Sequence, residues 1–548
     1  VPPPQGTLDS IAKSHVKPLV RTILVAMGFT TLYLLWVIKP AVEPQVYTRY
    51  HWSGPAHNFF LPLAINFLAF WFLLTLLLFA TRTPGRLRAT VWVGLLSFTP
   101  WFVGQTLNAL DLTSNPHQLN RLLFLLGILA TLVMALLWRP SLAPRVERVI
   151  DKTSTVLVFA GLFGFFMLCQ LGFRSWQASR LMDTFPLHAA ATATIPPHRI
   201  IWIVLDELSY EQTYEHRLPG LKLPAFDSLA TTATVFSQAQ PFDIFTQNVL
   251  PGLFAGQPFD QIRPTPTEGL SVHNEATGKW HTFQQHDTVF NDALNAGYRT
   301  AVVGWYNPYC RILAAVVDSC YWAYRVPSNL MEPSNTLLSN TLGPIKLLTW
   351  RILGVAPGPV FFYFMNRLNI PLPKVFLRQS QIDDYMDLDA RSQELLRDRS
   401  YGFVLLHLPI PHPWGIYDRR TGNFTTANSS SYSDNLALAD KCLAGIRQTL
   451  EQTGQWDSST VIVMGDHSWR TKQEWKTSGF WTHEDELASH GGQYDPRPAY
   501  IVKLPNQTTA ARIDIPYHTV NTRKLFDAIM TRQINTPNDL ATWAQTAH

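Results

Sequence analysis

Cysteine is scarce: the 548 residues hold four, too few for a disulfide framework. Cys169 lies in an apolar run and Cys442 on an expected helix, so both read as buried free thiols. Cys310 and Cys320 are near enough in sequence to close a small loop in an oxidising compartment, and spacing alone leaves that open. Internal repeats and low-complexity tails are missing as well, which excludes solenoid arrays. A strong excess of one charge is also lacking. The formal net charge is +5, and the basic residues behind it sit beside apolar runs rather than in a patch, which excludes nucleic acid as the partner they serve.

Apolar residues make up 47% of the chain and crowd its first third. Five runs fall at about 22–38, 59–80, 89–107, 122–138 and 154–173, each near the roughly 20 residues a helix needs to cross a bilayer. The first starts too deep, without a small-residue cleavage site, to be a removed signal peptide, so a retained anchor is expected. Lys13, Lys17 and Arg21 precede the first run. Arg82, Arg86 and Arg88 separate the second from the third, and Arg139, Arg145, Arg148 and Lys152 separate the fourth from the fifth. The alternate loops carry only Lys39, Arg49 and Arg121. Basic residues stay preferentially on the cytoplasmic side, so the amino terminus is expected in the cytoplasm and everything after the fifth helix outside. The expected organisation is an all-α five-span transmembrane domain over 1–175, a linker over 176–198 and an extracytoplasmic domain over 199–548.

Beyond the linker the pattern changes. Arg199 to Leu205 is an almost continuous apolar strand, and similar runs recur at 300–303, 401–406, 460–464 and 499–503. Such runs suit a sheet covered on both faces. Helical patterns over 287–296 and 433–453 separate them, which predicts a layered α/β domain with a mostly parallel central sheet. Between them, 335–380 mixes apolar stretches with proline and basic residues; it reads either as a core insertion or as an interfacial helix pair resting on the bilayer.

Three places carry chemistry. In α/β sheets ligands gather beyond the carboxyl ends of strands, and there the first strand is followed by Asp206 and Glu207 and a later one by Asp466 and His467. Carboxylates with one imidazole form a mixed oxygen and nitrogen shell that suits one divalent metal, Zn²⁺ foremost and Mn²⁺ or Mg²⁺ also. Thr246 opens the segment Thr246-Gln-Asn-Val-Leu-Pro-Gly-Leu-Phe-Ala-Gly256. A threonine hydroxyl is a weak nucleophile unless a base or a cation activates it, so Thr246 beside such a metal predicts attack on a phosphate ester.

These stretches, taken in order, resemble the alkaline phosphatase and sulfatase superfamily. They are Ile200 to Glu207, the segment around Phe226, Thr246 to Gly256, Gly297-Tyr298 to Gly304, Pro411-His412-Pro413, Asp434 to Asp440, Gly465-Asp466-His467, and Tyr494-Asp495 to Pro505. The whole chain is similar to the membrane-anchored phosphotransferase branch, which includes lipoteichoic acid synthases and lipid A phosphoethanolamine transferases. The resemblance implies a metal held by Asp206, Thr246, Asp466 and His467, with Glu207 as a second acidic ligand, and Thr246 as the covalent nucleophile. His412 and His490 are implied to contact phosphate or protonate the leaving group, whereas His407 and His483 read as ordinary histidines. Departures narrow this further. Residues 241–256 hold no cysteine or serine, which disfavours the aldehyde route of sulfatases. Trp305-Tyr306 replaces their lysine and histidine anion clamp, and Leu408 stands where a second-metal aspartate would be.

The leading expectation is therefore a multi-pass protein of a bacterial inner membrane. It would pass a phospholipid head group, phosphoethanolamine or phosphoglycerol, to a glycan or glycolipid acceptor outside. A metal-dependent phosphodiesterase or sulfatase-like hydrolase and a non-catalytic envelope scaffold are the competing readings.

Overall fold

Each apolar run near the amino end falls on a helix: α1 (Gln5–Val42), α2 (His57–Ala80), α3 (Arg86–Ala109), α4 (His117–Leu136) and α5 (Ala143–Ala178). The computed structural model describes residues 5–42, 52, 57–109, 117–180, 186–188, 198–265, 269–325, 336–353, 373–471 and 475–546. Among these, three stretches are long and apolar enough to cross a membrane, Pro18–Lys39, Asn58–Ala80 and Pro140–Ala178. The expected count of five is corrected on that measure. Helix α3 carries Arg86, Arg88, Pro100 and Gln105, and the apolar part of α4 is only Leu122–Leu136, short of the roughly 20 residues a crossing needs.

The chain divides into two units, Val1–Asp183 with Pro327–Pro371, and Thr184–Val326 with Leu372–His548. In the first, α1 and α5 touch backbone to backbone. A Cβ on Gly28 would lie 2.2 Å from the Leu157 carbonyl oxygen, and one on Gly161 would lie 2.5 Å from that of Leu24. Small residues at a crossing let helices approach where lipid offers no hydrophobic drive. Helices α3 and α4 meet through aromatic rings, Phe124 standing 5.1 Å from both Phe98 and Trp101. Leu337–Leu353 is a helix of this same unit, tied to α2 by Asn66 Nδ2 donating to the Thr341 carbonyl at 2.9 Å. The remainder of the expected 335–380 insertion divides: 354–372 lies outside the described residues, and a long helix from Pro373 belongs to the other unit.

That second unit is built on eight strands: β1 (Ile200–Leu205), β2 (Thr234–Phe236), β3 (Thr300–Trp305), β4 (Ser319–Ala323), β5 (Phe403–Leu408), β6 (Thr460–Gly465), β7 (Tyr500–Lys503) and β8 (Ala511–Ile513). Their order across the sheet is β8-β2-β7-β6-β1-β5-β3-β4. The sheet is mostly parallel, as expected; β7 alone runs against both of its neighbours. The central strands are buried on both faces. Trp202 packs on one side against Phe254 and Phe526. Ile201, Ile203 and Leu205 join Leu436, Leu443 and Ile446 on the other. Full burial of each such side chain contributes about 1.5–3 kcal/mol, which is why these runs contain no alternating polar residues.

Three helices place chemistry or support it: α6 (Thr246–Ala255), α7 (Pro373–Arg397) and α8 (Tyr432–Gln452). Gly256 ends α6 with φ near 65°, in the left-handed region that glycine enters without strain. Helix α8 starts at a capping box in which Ser431 and Asp434 satisfy each other's backbone groups. Cys310 and Cys320 are disulfide-bonded, with Cα atoms 5.5 Å apart. Cys442 is buried as expected, whereas Cys169 lies on an exposed face of α5.

Candidate active site

Parallel pairing of β1 with β6 aligns Leu205 with Gly465, so the residues after each strand emerge at the same edge. Asp206 and Asp466 meet there by register alone. Gly465 is required for this: a Cβ would sit 2.6 Å from the Leu208 carbonyl oxygen. On the other flank of β1, Val204 is paired with His407, which brings an imidazole from inside β5 to the same place.

Thr246, the first residue of α6, points into this cluster. Its hydroxyl donates to Asp466 Oδ2 at 2.7 Å and stands 3.3 Å from both Asp206 Oδ2 and His467 Nε2. His407 Nε2 is 3.6 Å from Asp206 Oδ2, while its Nδ1 is engaged by the Tyr309 hydroxyl and the Trp305 carbonyl. The N-terminus of α6 adds the positive end of a helix dipole beneath the hydroxyl.

The electrostatics of the two aspartates differ. Burial, then the neighbouring carboxylates of Asp466 and Glu207, push Asp206 well above the usual carboxylate range, against the pull of Arg470 and the Thr246 hydroxyl. Burial also works against ionisation of Asp466. There His467, His407, the Glu207 backbone N–H and the Thr246 hydroxyl outweigh it and hold the group below its ordinary value. Two buried carboxylates this close strongly resist joint ionisation unless a cation joins them. Asp206 Oδ1 and His407 Nε2 are buried without a hydrogen-bond partner among the described residues, and both are atoms of the kind that ligate a cation. Two groups have ligand atoms within 4.8 Å of one another, Asp206 with His407 and Asp466, and Asp206 with Glu207 and His467. The donor set fits a divalent metal with mixed oxygen and nitrogen preference.

Glu207 is held differently from the others. It has φ near 64°, and its carboxylate accepts from the Arg470 guanidinium and backbone N–H and from Trp475 Nε1 at 3.0 Å. Both oxygens are therefore committed within the protein. Glu207→Ala is expected to destabilise the fold by about 3–5 kcal/mol, because it strands the Arg470 charge in a buried setting, while divalent-metal affinity changes little. Parallel denaturation and metal titration of that variant check this. A loss of metal affinity at unchanged stability would make Glu207 a ligand instead.

His412 lines an opening of about 310 Å³ with Asp206, Thr246, Gln247 and Arg470. Its ring lies 5.4, 4.9 and 4.8 Å from those of Trp305, Trp414 and Trp475. Burial, then the charges of Arg470 and His467, push it well below the ordinary histidine value, so it is neutral at physiological pH. His490 is not brought to this place. It is exposed, with φ near 49°, and its ring faces that of His216 at 5.9 Å.

Sequence reasoning misses five participants. His407 reads as ordinary until the strands are paired; a histidine within an otherwise apolar strand next to β1 is the available signal. Arg470 and Trp475 come soon after the Asp466-His467 pair and form one wall. Trp305 and Tyr306, which in sequence mark only the loss of an anion clamp, are wall residues of the same opening.

No family model matches this chain, and no curated protein does. Solved structures that resemble it include the lipoteichoic acid synthase LtaP from Listeria monocytogenes, at 13% identity over 60% of this chain and 71% of that one, with a TM-score of 0.33. The phosphonate monoester hydrolase of Agrobacterium radiobacter resembles it at 12% identity over 61% and 74%, with a TM-score of 0.35. A protein in the alkaline phosphatase superfamily from Vibrio parahaemolyticus does so at 13% over 64% and 70%, with a TM-score of 0.35. At these values the likeness stands beside the fold and site described above and supports no step in them.

Proposed function

We propose that this chain is a membrane phosphotransferase. It moves a phospholipid head group, phosphoethanolamine or phosphoglycerol, through a phospho-threonine at Thr246 to a glycan or lipid acceptor of the cell envelope. The observation that carries this reading is the Thr246 hydroxyl, held at once by Asp466, Asp206 and His467 at distances of 2.7 to 3.3 Å. Nothing about a surface or capping threonine calls for two buried carboxylates and an imidazole around it.

In the first displacement Thr246 Oγ1 attacks the phosphorus of the lipid phosphodiester. Its proton passes by way of Asp466 to the diacylglycerol oxygen, which leaves as its bond to phosphorus breaks. In the second, an acceptor hydroxyl or amine attacks the phospho-threonine, and the Thr246 oxygen regains its proton. His412, neutral and with Nδ1 lacking a partner among the described residues, would take the acceptor's proton and return it to the Thr246 oxygen. Asp206, Asp466, His467 and His407 would hold the divalent metal, which when bound lowers the pKa of a coordinated hydroxyl and offsets charge on phosphoryl oxygens. Arg470 supplies a fixed positive charge on the wall of the opening.

Two features support the setting. The apolar helices would keep the enzyme beside a donor that cannot leave the bilayer, which raises the donor's effective concentration. The bond between Cys310 and Cys320 suits an oxidising compartment outside the cytoplasm and agrees with an extracytoplasmic, periplasmic placement of the catalytic unit.

The test uses the full chain in vesicles containing head-group-labelled phosphatidylethanolamine or phosphatidylglycerol, with Zn²⁺ or Mn²⁺ and an envelope glycan extract. Label is expected in the glycan, with one diacylglycerol formed per transfer, and intact-mass analysis is expected to find a head-group adduct on the protein. Label recovered only as free phospho-head-group would overturn transfer in favour of hydrolysis.

A further inference from the structure

The helical unit holds an opening of its own, at the end where α1 starts its apolar stretch and α2 finishes. Its volume is about 480 Å³, and Arg21, Arg82 and Arg88 line it along with a single carboxylate, Asp151. The charges do not balance. Arg88 Nε is paired with Glu147 at 3.0 Å, and Arg21 Nη1 reaches Asp151 Oδ1 only at 3.4 Å. Arg82 has no carboxylate partner among the described residues; its guanidinium lies 4.4 Å above the Phe79 ring. Arg88 Nη1 donates to the Arg82 carbonyl at 2.8 Å, which fixes the turn that carries the unpaired charge.

The remaining walls are apolar. Val25, Leu78, Phe79 and Trp92 line the opening together with the guanidinium groups. Leu19 and Phe79 are 44% and 41% exposed beside it, at the limit of two stretches apolar enough to span a bilayer. Arginines that serve only to orient a membrane protein need water around them and no cavity. Here three of them converge over aliphatic and aromatic walls, with two braced by carboxylates and one left over.

We propose that this opening binds an anionic phospholipid of the surrounding bilayer. Its phosphate is held by Arg82 with Arg21 and Arg88, and an acyl chain lies along Phe79 and Leu78. The volume falls within the roughly 300–1,000 Å³ of small-ligand sites, and basic pockets between membrane helices are suited to anionic head groups. A free phosphate offers the same charge and none of the apolar contact, so the lipid is the occupant that uses both halves of the site. The site is built from the helical unit alone, and the inference does not depend on the reaction proposed for Thr246.

Native mass spectrometry and lipid titration of the full-length protein in detergent test it, with phosphatidylglycerol, phosphatidylcholine of the same chains, and inorganic phosphate as probes. Phosphatidylglycerol is expected to bind about tenfold or more tightly than phosphatidylcholine, and to raise the melting temperature where inorganic phosphate does not. Arg82→Gln is expected to weaken phosphatidylglycerol about fivefold and Arg21→Gln with Arg82→Gln about thirtyfold, while Arg148→Gln, outside the opening, changes nothing. Arg82 is exposed and makes no ion pair among the described residues, so its variant keeps the fold; the unchanged melting temperature of the lipid-free protein checks this. Equal binding of the two lipids, equal protection by inorganic phosphate, or wild-type affinity in both glutamine variants would each overturn the proposal.

Discussion

Thr246→Ala is expected to lower turnover by about a thousandfold or more, with the protein still folded. The substitution removes the γ-methyl and the hydroxyl oxygen, the atom that in the proposed reaction carries the phosphoryl group between donor and acceptor. The hydroxyl donates to Asp466 at 2.7 Å, so its loss also frees a carboxylate oxygen for the metal, and metal content is expected to stay at the wild-type level. Thr246→Ser keeps the oxygen and is expected to retain activity within about tenfold, the missing methyl costing orientation rather than chemistry. Single-turnover assays with labelled phospholipid and metal analysis of the same samples measure both. Turnover in the alanine variant above about a tenth of wild type would remove Thr246 from the reaction path.

Metal has a comparably large expected effect, and on stability as well as on activity. Without a cation, Asp206 is buried beside Asp466 and Glu207, and its carboxyl is pushed well above the usual range by that burial and those neighbours. Asp206→Asn removes the like charge, so the metal-free variant is expected to be about 1–3 kcal/mol more stable than the metal-free wild type. Adding Zn²⁺ or Mn²⁺ should reverse the ranking. A ligand at a thousand times its dissociation constant stabilises the folded state by about 4.1 kcal/mol, a gain open to the wild type and closed to the variant. Chelation is expected to abolish transfer, and resupplied metal to restore it. Denaturation curves with and without metal settle the matter: a metal-free Asp206→Asn protein less stable than metal-free wild type would contradict the account of the cluster.

How far such a site can be read from residues alone depends on which force places each one. Asp206, Asp466 and His467 are legible because long apolar runs identify central strands, and neighbouring parallel strands deliver the residues at their carboxyl ends to a common edge. Thr246 is legible only through a resemblance of its segment, since no periodicity marks it. His407 is not, because its place inside β5 looks like core and only the pairing of Val204 with His407 reveals what it faces. Glu207 groups with the ligands because it comes directly after Asp206, but its direction is decided by the Arg470 guanidinium and the Trp475 indole, which adjacency in sequence cannot indicate. The short strands β2 and β8 leave no pattern either, being three residues each, too few for an alternation to register. In the helical unit, run length alone suggests five crossings, whereas the composition of α3 and the shortness of the apolar part of α4 leave three that qualify among the described residues.

One phenol bears on how ready this site is before any substrate arrives. The Tyr432 hydroxyl donates to the Glu207 carbonyl at 2.7 Å and accepts from the Ser209 N–H at 3.1 Å, while its ring stacks on Trp469 at 4.2 Å. A single side chain thus clamps the turn after β1 and the turn after β6, the two that carry the acidic groups. The site is therefore preorganised: the work of crowding like charges is done once, as the chain folds, and little reorganisation remains for any later step.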